Sequence, residues 1–270
     1  MKNYLKYHSL VILKNTSYIY LCAFMIIMAF LCVLVMIIDP QNIELINYPP
    51  AFISFFWMNP MDRVINSICM LLLPLITIIP VLQSMRVENK AFQMILTRSY
   101  KLKYLISKMI IFFMSGFSLT LIFLTFHMIF SYIIFSSDIQ NIFFYASAFV
   151  PNNTYLLEMI MPFPDLYLSN PILLSILYML SIAFLQGILS LVTMCINTYT
   201  HHSIFSYIFC FLLMSLNTYF QGFIPSVINI LDLYSSWSQK TLFLYTTIYM
   251  TIFTVFISVS SYIEYKKDAL

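Results

Sequence analysis

The side chains able to do chemistry in this chain are few, and they fall into three sets. The first is imidazole. His127 stands alone in an apolar run near Thr125 and Ser131, where it is either a packed core residue or one station of a proton relay. His201 and His202 are adjacent but have no carboxylate or thiolate nearby, a poor ligand set for a metal and a natural hydrated loop. The second set is uncharged: Gln186 beside Gly187, then Asn217, Gln221, Thr246 and Thr247. Amides and hydroxyls in apolar surroundings either hydrogen-bond across helix interfaces or line a translocation path. The third set is cationic: Arg86, Lys90, Arg98, Lys101, Lys103 and Lys108 crowd into residues 83–108 around the single acid Glu88.

Equally informative is the chemistry that the chain lacks. It contains no Gly-x-x-x-x-Gly-Lys-Ser/Thr, so it carries no P-loop for nucleotide. Paired aspartates and a His-Glu-x-x-His run are missing from its apolar stretches, and His127 is the one histidine within them, which speaks against intramembrane proteolysis. Lipid-modifying enzymes would need charged clusters that are likewise missing. The five cysteines (Cys22, Cys32, Cys69, Cys195, Cys210) lie in apolar runs and read as small hydrophobes rather than as a disulfide framework or a metal site. No catalytic, cofactor-binding or metal-ligating residue is therefore expected.

The elements that must carry these residues follow from composition. Of 270 residues, 61% are hydrophobic and only 9% charged, and the mean hydropathy is +0.90. A soluble domain covers its surface with about 25% charged residues, so soluble, disordered and coiled-coil classes are excluded. A helix needs about 20 apolar residues to cross roughly 30 Å of hydrocarbon. Six stretches qualify: 18–38, 64–82, 109–135, 172–196, 204–221 and 242–262, none holding a Lys, Arg, Asp or Glu. Backbone groups in lipid must be satisfied within the segment, which makes these helices. The expected fold is thus an all-α membrane protein with six transmembrane helices in a single domain, 1–270.

Orientation follows from the cations. With the N-terminus cytoplasmic, Lys2, Lys6, Lys14, Arg86, Lys90, Arg98, Lys101, Lys103, Lys108, Lys266 and Lys267 all lie inside, leaving Arg63 and Lys240 outside. Asp39, Glu44, Asp62, Asp138, Glu158, Asp165 and Asp232 then fall outside. Both termini are expected in the cytoplasm. The first run is too long for a signal-peptide core and ends without a small-residue cleavage site, so it is expected to remain as an anchor. The N-terminal fifteen residues form either an interfacial helix or a frayed cationic lead. The long outer segments 39–63 and 136–171 are aromatic, with Phe55, Phe56, Trp57, Phe143, Phe144 and Tyr145 suited to headgroup depth.

Within the basic inner loop, Val87, Ala91, Met94 and Ile95 recur at helical spacing and predict an amphipathic helix of about three turns. By pattern alone this is either an ordinary interfacial helix or one that docks into a cytoplasmic partner and passes force to the spans. The order of features is Pro74 and Pro80 ending the second span, Glu88, a short helix, Thr97-Arg98-Ser99, then Lys108 at the mouth of the third span. This order resembles the ABC-2 type transporter permeases. Glu88, Leu96, Thr97, Arg98 and Lys108 match the places of that pattern, while Asn89, Lys90 and Ala91 stand where a glycine is usual.

The resemblance implies six spans, both termini cytoplasmic, an interfacial N-terminal helix and a cytoplasmic coupling helix between spans two and three. It implies ATPase coupling through Val87, Glu88, Ala91, Met94, Ile95, Thr97, Arg98, Lys101 and Lys108. The partners would be two copies of a separate ABC ATPase subunit holding ATP and Mg, a second permease chain (identical or paralogous), and membrane lipid, with no nucleic acid. The chain itself would be a transporter subunit rather than an enzyme, set in a bacterial plasma membrane. The scarcity of polar groups suits a hydrophobic or amphipathic cargo such as a peptide, toxin, drug or lipid, and antimicrobial-peptide export or immunity fits that set. The candidate path is Gln186, Asn217, Gln221, Thr246 and Thr247. A reading from another class is a non-transporting membrane anchor or sensor whose basic loop binds lipid or a signalling partner.

Overall fold

A computed structural model of the chain describes residues 6, 9–10, 12, 16–38, 72–73, 75–85, 101–134, 170–200, 202–219 and 239–267, and the structural statements below concern these. All but a few of them are helical, and no strand occurs among them. The helices are α1 (Thr16–Ile38), α2 (Leu75–Met85), α3 (Lys101–Ile134), α4 (Pro171–Thr200), α5 (Ser203–Tyr219) and α6 (Gln239–Lys267). Four of them, α1, α3, α4 and α6, are long and apolar enough to cross a membrane.

Local chemistry explains the helix ends. Asn170 caps α4, its side-chain oxygen accepting the Leu173 amide at 3.1 Å, and Pro171 follows at the first helical position, where its missing N–H costs nothing. At the other end of α4 the Thr200 hydroxyl donates to the carbonyl of Ile196 at 2.9 Å, with that of His202 within reach of the same proton at 3.3 Å. The Phe205 amide then returns to the His202 carbonyl at 3.3 Å, so α5 starts almost at once. The connection expected over 197–203 is therefore shorter than its polar residues suggest, because Asn197, Thr198 and Thr200 belong to the helix. Likewise α3 begins at Lys101 rather than at 109. A lysine interrupts an apolar run in the sequence without interrupting a helix.

Pairwise contacts fix the directions of the helices. Tyr18 shares a 2.6 Å hydrogen bond with Ser118, and the Phe30 ring stands 5.3 Å from Phe130, so α1 and α3 run side by side in one sense. Thr77 meets Gln186, and Met85 meets Asn197, so α2 runs with α4. α5 doubles back along α4, its Ser206 hydroxyl donating to the Thr193 carbonyl at 3.3 Å. The start of α3 and the ends of α4 and α6 come together, through Tyr199 to the Ser260 carbonyl (3.4 Å) and Ser261 to the Met109 sulfur (3.6 Å). Successive helices thus alternate in direction. The end where α3 starts carries Lys101, Lys103, Lys108, Lys266 and Lys267, while Lys240 opens α6 at the opposite end.

The apolar core runs along α3 and α4, with Phe112, Leu119, Phe123, Leu189 and Met194 almost fully buried. α1 adds Met25, Ala29 and Val33, and Ile12 upstream of it joins the same cluster. Hydroxyls within the helices mostly return to their own backbone, as Thr120 does to Gly116 (3.0 Å) and Ser131 to His127 (2.8 Å). That arrangement satisfies a polar group in surroundings without water.

Candidate functional site

One face of α4 carries a row of buried polar groups. Gln186, Ser190, Thr193 and Asn197 follow at intervals of four, three and four residues, the spacing of one helical stripe, and all four are buried. The hydroxyls of Ser190 and Thr193 bond back to the carbonyls of Gln186 (3.0 Å) and Ser190 (2.8 Å). An amide has no such recourse, because it reaches past its own turn and carries both donors and an acceptor. It needs a neighbour, and α2 supplies one to each. Thr77, fully buried, donates to the side-chain oxygen of Gln186 at 3.4 Å. Asn197 donates to the sulfur of Met85 at 3.3 Å. A hydroxyl at long range and a thioether are weak partners, so these two hydrogen bonds add little to the apolar packing of Val81 and Met85 in the same cluster.

The α3–α4 side of the same stripe is close-packed. A side chain at Gly116 would overlap the Ser190 hydroxyl and sit 2.9 Å from the Gln186 carbonyl. One at Gly187 would lie 2.6 Å from the Phe113 ring. Two of the three glycines in the chain are therefore spent on bringing α3 and α4 together, as small residues do where helices associate in lipid. Phe113 also packs edge-on against Phe184 at 5.4 Å, closing the crossing from the other side.

The residues expected from sequence to form sites are dispersed. Val87, Glu88, Ala91, Met94, Ile95, Thr97 and Arg98 lie outside the described residues, as does Gln221. Lys101 opens α3. Lys108 sits within that helix, 4% exposed, its ammonium 5.8 Å from the centre of the Phe112 ring. Of the candidate path, Gln186 lies in the buried stripe, Asn217 falls on α5, Thr246 is half-buried on α6, and Thr247 faces outward. Thr77, Ser190, Thr193 and Asn197 are residues of this site that the sequence reading did not single out. The four-three-four spacing after Gln186 was the signal available for Asn197; nothing marked Thr77 within its apolar run.

His127 is fully buried, with its ring 6.1 Å from that of Phe123. His202 is exposed at the α4–α5 turn. Among the described residues no three His, Cys, Asp or Glu come together in a way that would hold a metal ion. The chain matches no protein-family model, no curated protein and no solved structure.

Proposed function

We propose that this chain is the membrane-embedded permease subunit of an ATP-driven exporter, with ATP hydrolysed by a separate subunit on the cytoplasmic side. The observation that carries this reading is that α2 ends and α3 begins at the same, lysine-rich end of the bundle. With cations on the cytoplasmic face, the intervening residues 86–100 would face a cytosolic partner, and their amphipathic pattern suits a docking helix. A push delivered there reaches α2, which meets α4 through Thr77, Val81 and Met85, and α3, which packs closely on α4 at Gly116 and Gly187. The alternating directions of α1 to α6 accord with six crossings and both termini inside. The scarcity of charged groups along the described helices favours a hydrophobic or amphipathic substrate.

The test is co-purification. Expressed with its genomic neighbours, tagged chain should bring down a P-loop ATPase. Glu88→Lys, or Met94→Asp with Ile95→Asp, should reduce that ATPase to background while membrane insertion stays intact. If the wild-type chain captures no ATPase, the reading as a transporter subunit fails and the anchor reading takes its place.

A further inference from the structure

We propose that the corner formed by the start of α3 and the end of α6 is a docking surface for acidic phospholipid headgroups. Two kinds of surface meet there. On α3, Lys103 is exposed between large apolar side chains that are also exposed: Leu102 (55%), Ile106 and Ile110. α6 adjoins this stretch through the Ser261–Met109 contact and presents Tyr262 (57%), Ile263 and Tyr265 outward beyond it. Lys101, Lys266 and Lys267 belong to the same end of the bundle, where Glu264 is the one acid on the described helices.

This combination selects its occupant. A soluble anion would match the lysines and leave Leu102, Ile106 and Ile110 bare. A lipid with no net charge would cover the apolar side chains and bring no net negative charge to the cationic end. An acidic phospholipid does both: its chains cover the aliphatic shoulder, its phosphate faces the ammonium groups, and tyrosine hydroxyls sit comfortably at headgroup depth. The proposal rests on the chain being embedded in a membrane and is independent of the ATPase reading.

The full chain is reconstituted in nanodiscs of phosphatidylcholine, with or without phosphatidylglycerol. Retained lipid is counted by native mass spectrometry and the thermal unfolding midpoint is followed. Phosphatidylglycerol should be enriched on the protein and should raise the midpoint, and added salt should weaken both effects. Lys103→Gln should lower the enrichment about fivefold, and Lys103→Gln combined with Lys266→Gln and Lys267→Gln should lower it further. Lys240→Gln, at the opposite end, should leave it unchanged. Equal enrichment in the wild type and the triple variant would overturn the proposal. So would an equal loss in Lys240→Gln, or inorganic phosphate reproducing the midpoint shift in phosphatidylcholine discs. None of these readouts involves the ATPase, so a failure here leaves the co-purification test standing.

Discussion

α4 and α6 carry polar stripes of identical spacing and opposite fate. On α4 the stripe is Gln186, Ser190, Thr193 and Asn197; on α6 it is Thr247, Thr251, Thr254 and Ser258. The first is buried and the second exposed, and 72% of the apolar stretch of α4 lies inside the protein against 17% of that of α6. The difference lies in what each side chain can do alone. On α6 the hydroxyls of Thr251 and Thr254 donate to the carbonyls of Thr247 and Met250 at 2.7 Å, so these two groups can face outward with their hydrogen bonds already made. The amides of Gln186 and Asn197 cannot be satisfied this way and must find α2. Helical periodicity says that a stripe exists; the functional groups on it decide whether it turns inward.

The comparison breaks most readily at the α3–α4 crossing. Gly116→Val should fail to assemble, and Gly116→Ala should destabilise by about 1–3 kcal/mol through overpacking, seen as a lower unfolding midpoint in detergent. Ala in place of the outward-facing Val259 should leave that midpoint within about 0.5 kcal/mol of wild type. Next in size, Asn197→Leu should cost about 1 kcal/mol by removing the contact to Met85, whereas Thr254→Leu on the α6 stripe should be neutral. If Thr254→Leu costs as much as Asn197→Leu, the α6 stripe has a partner and the contrast is wrong. A smaller loss than that of Asn197→Leu is expected for Tyr18→Phe, which removes the 2.6 Å bond to Ser118 for about 0.6 kcal/mol.

Much of this architecture could be read in advance. The helical class and the apolar segments followed from the lack of charge, and Gln186 was picked out as the one amide in its run. The start of α3 was not legible, because a hydropathy boundary falls at Lys108 while the helix continues through it to Lys101. Asn197 was missed for the mirror reason: its polar neighbours looked like a loop, although Thr198 and Thr200 satisfy themselves within the helix. Thr246 and Thr247 were grouped with Gln186 because position along a helix does not reveal which side meets neighbours. Only the packing of Tyr249, Phe253, Ile257 and Ser260 toward the bundle shows which face of α6 is inward.

With 34 residues, α3 measures about 51 Å, well beyond the roughly 30 Å of hydrocarbon that it has to cross. Such a strut must either lean steeply or stand proud of the bilayer at one side. It is continuous from Lys101 to Ile134 and contains no proline. One unbroken helix thus links its first turn to Phe130, on the order of 40 Å away, where the ring of Phe30 on α1 packs edge-on against it.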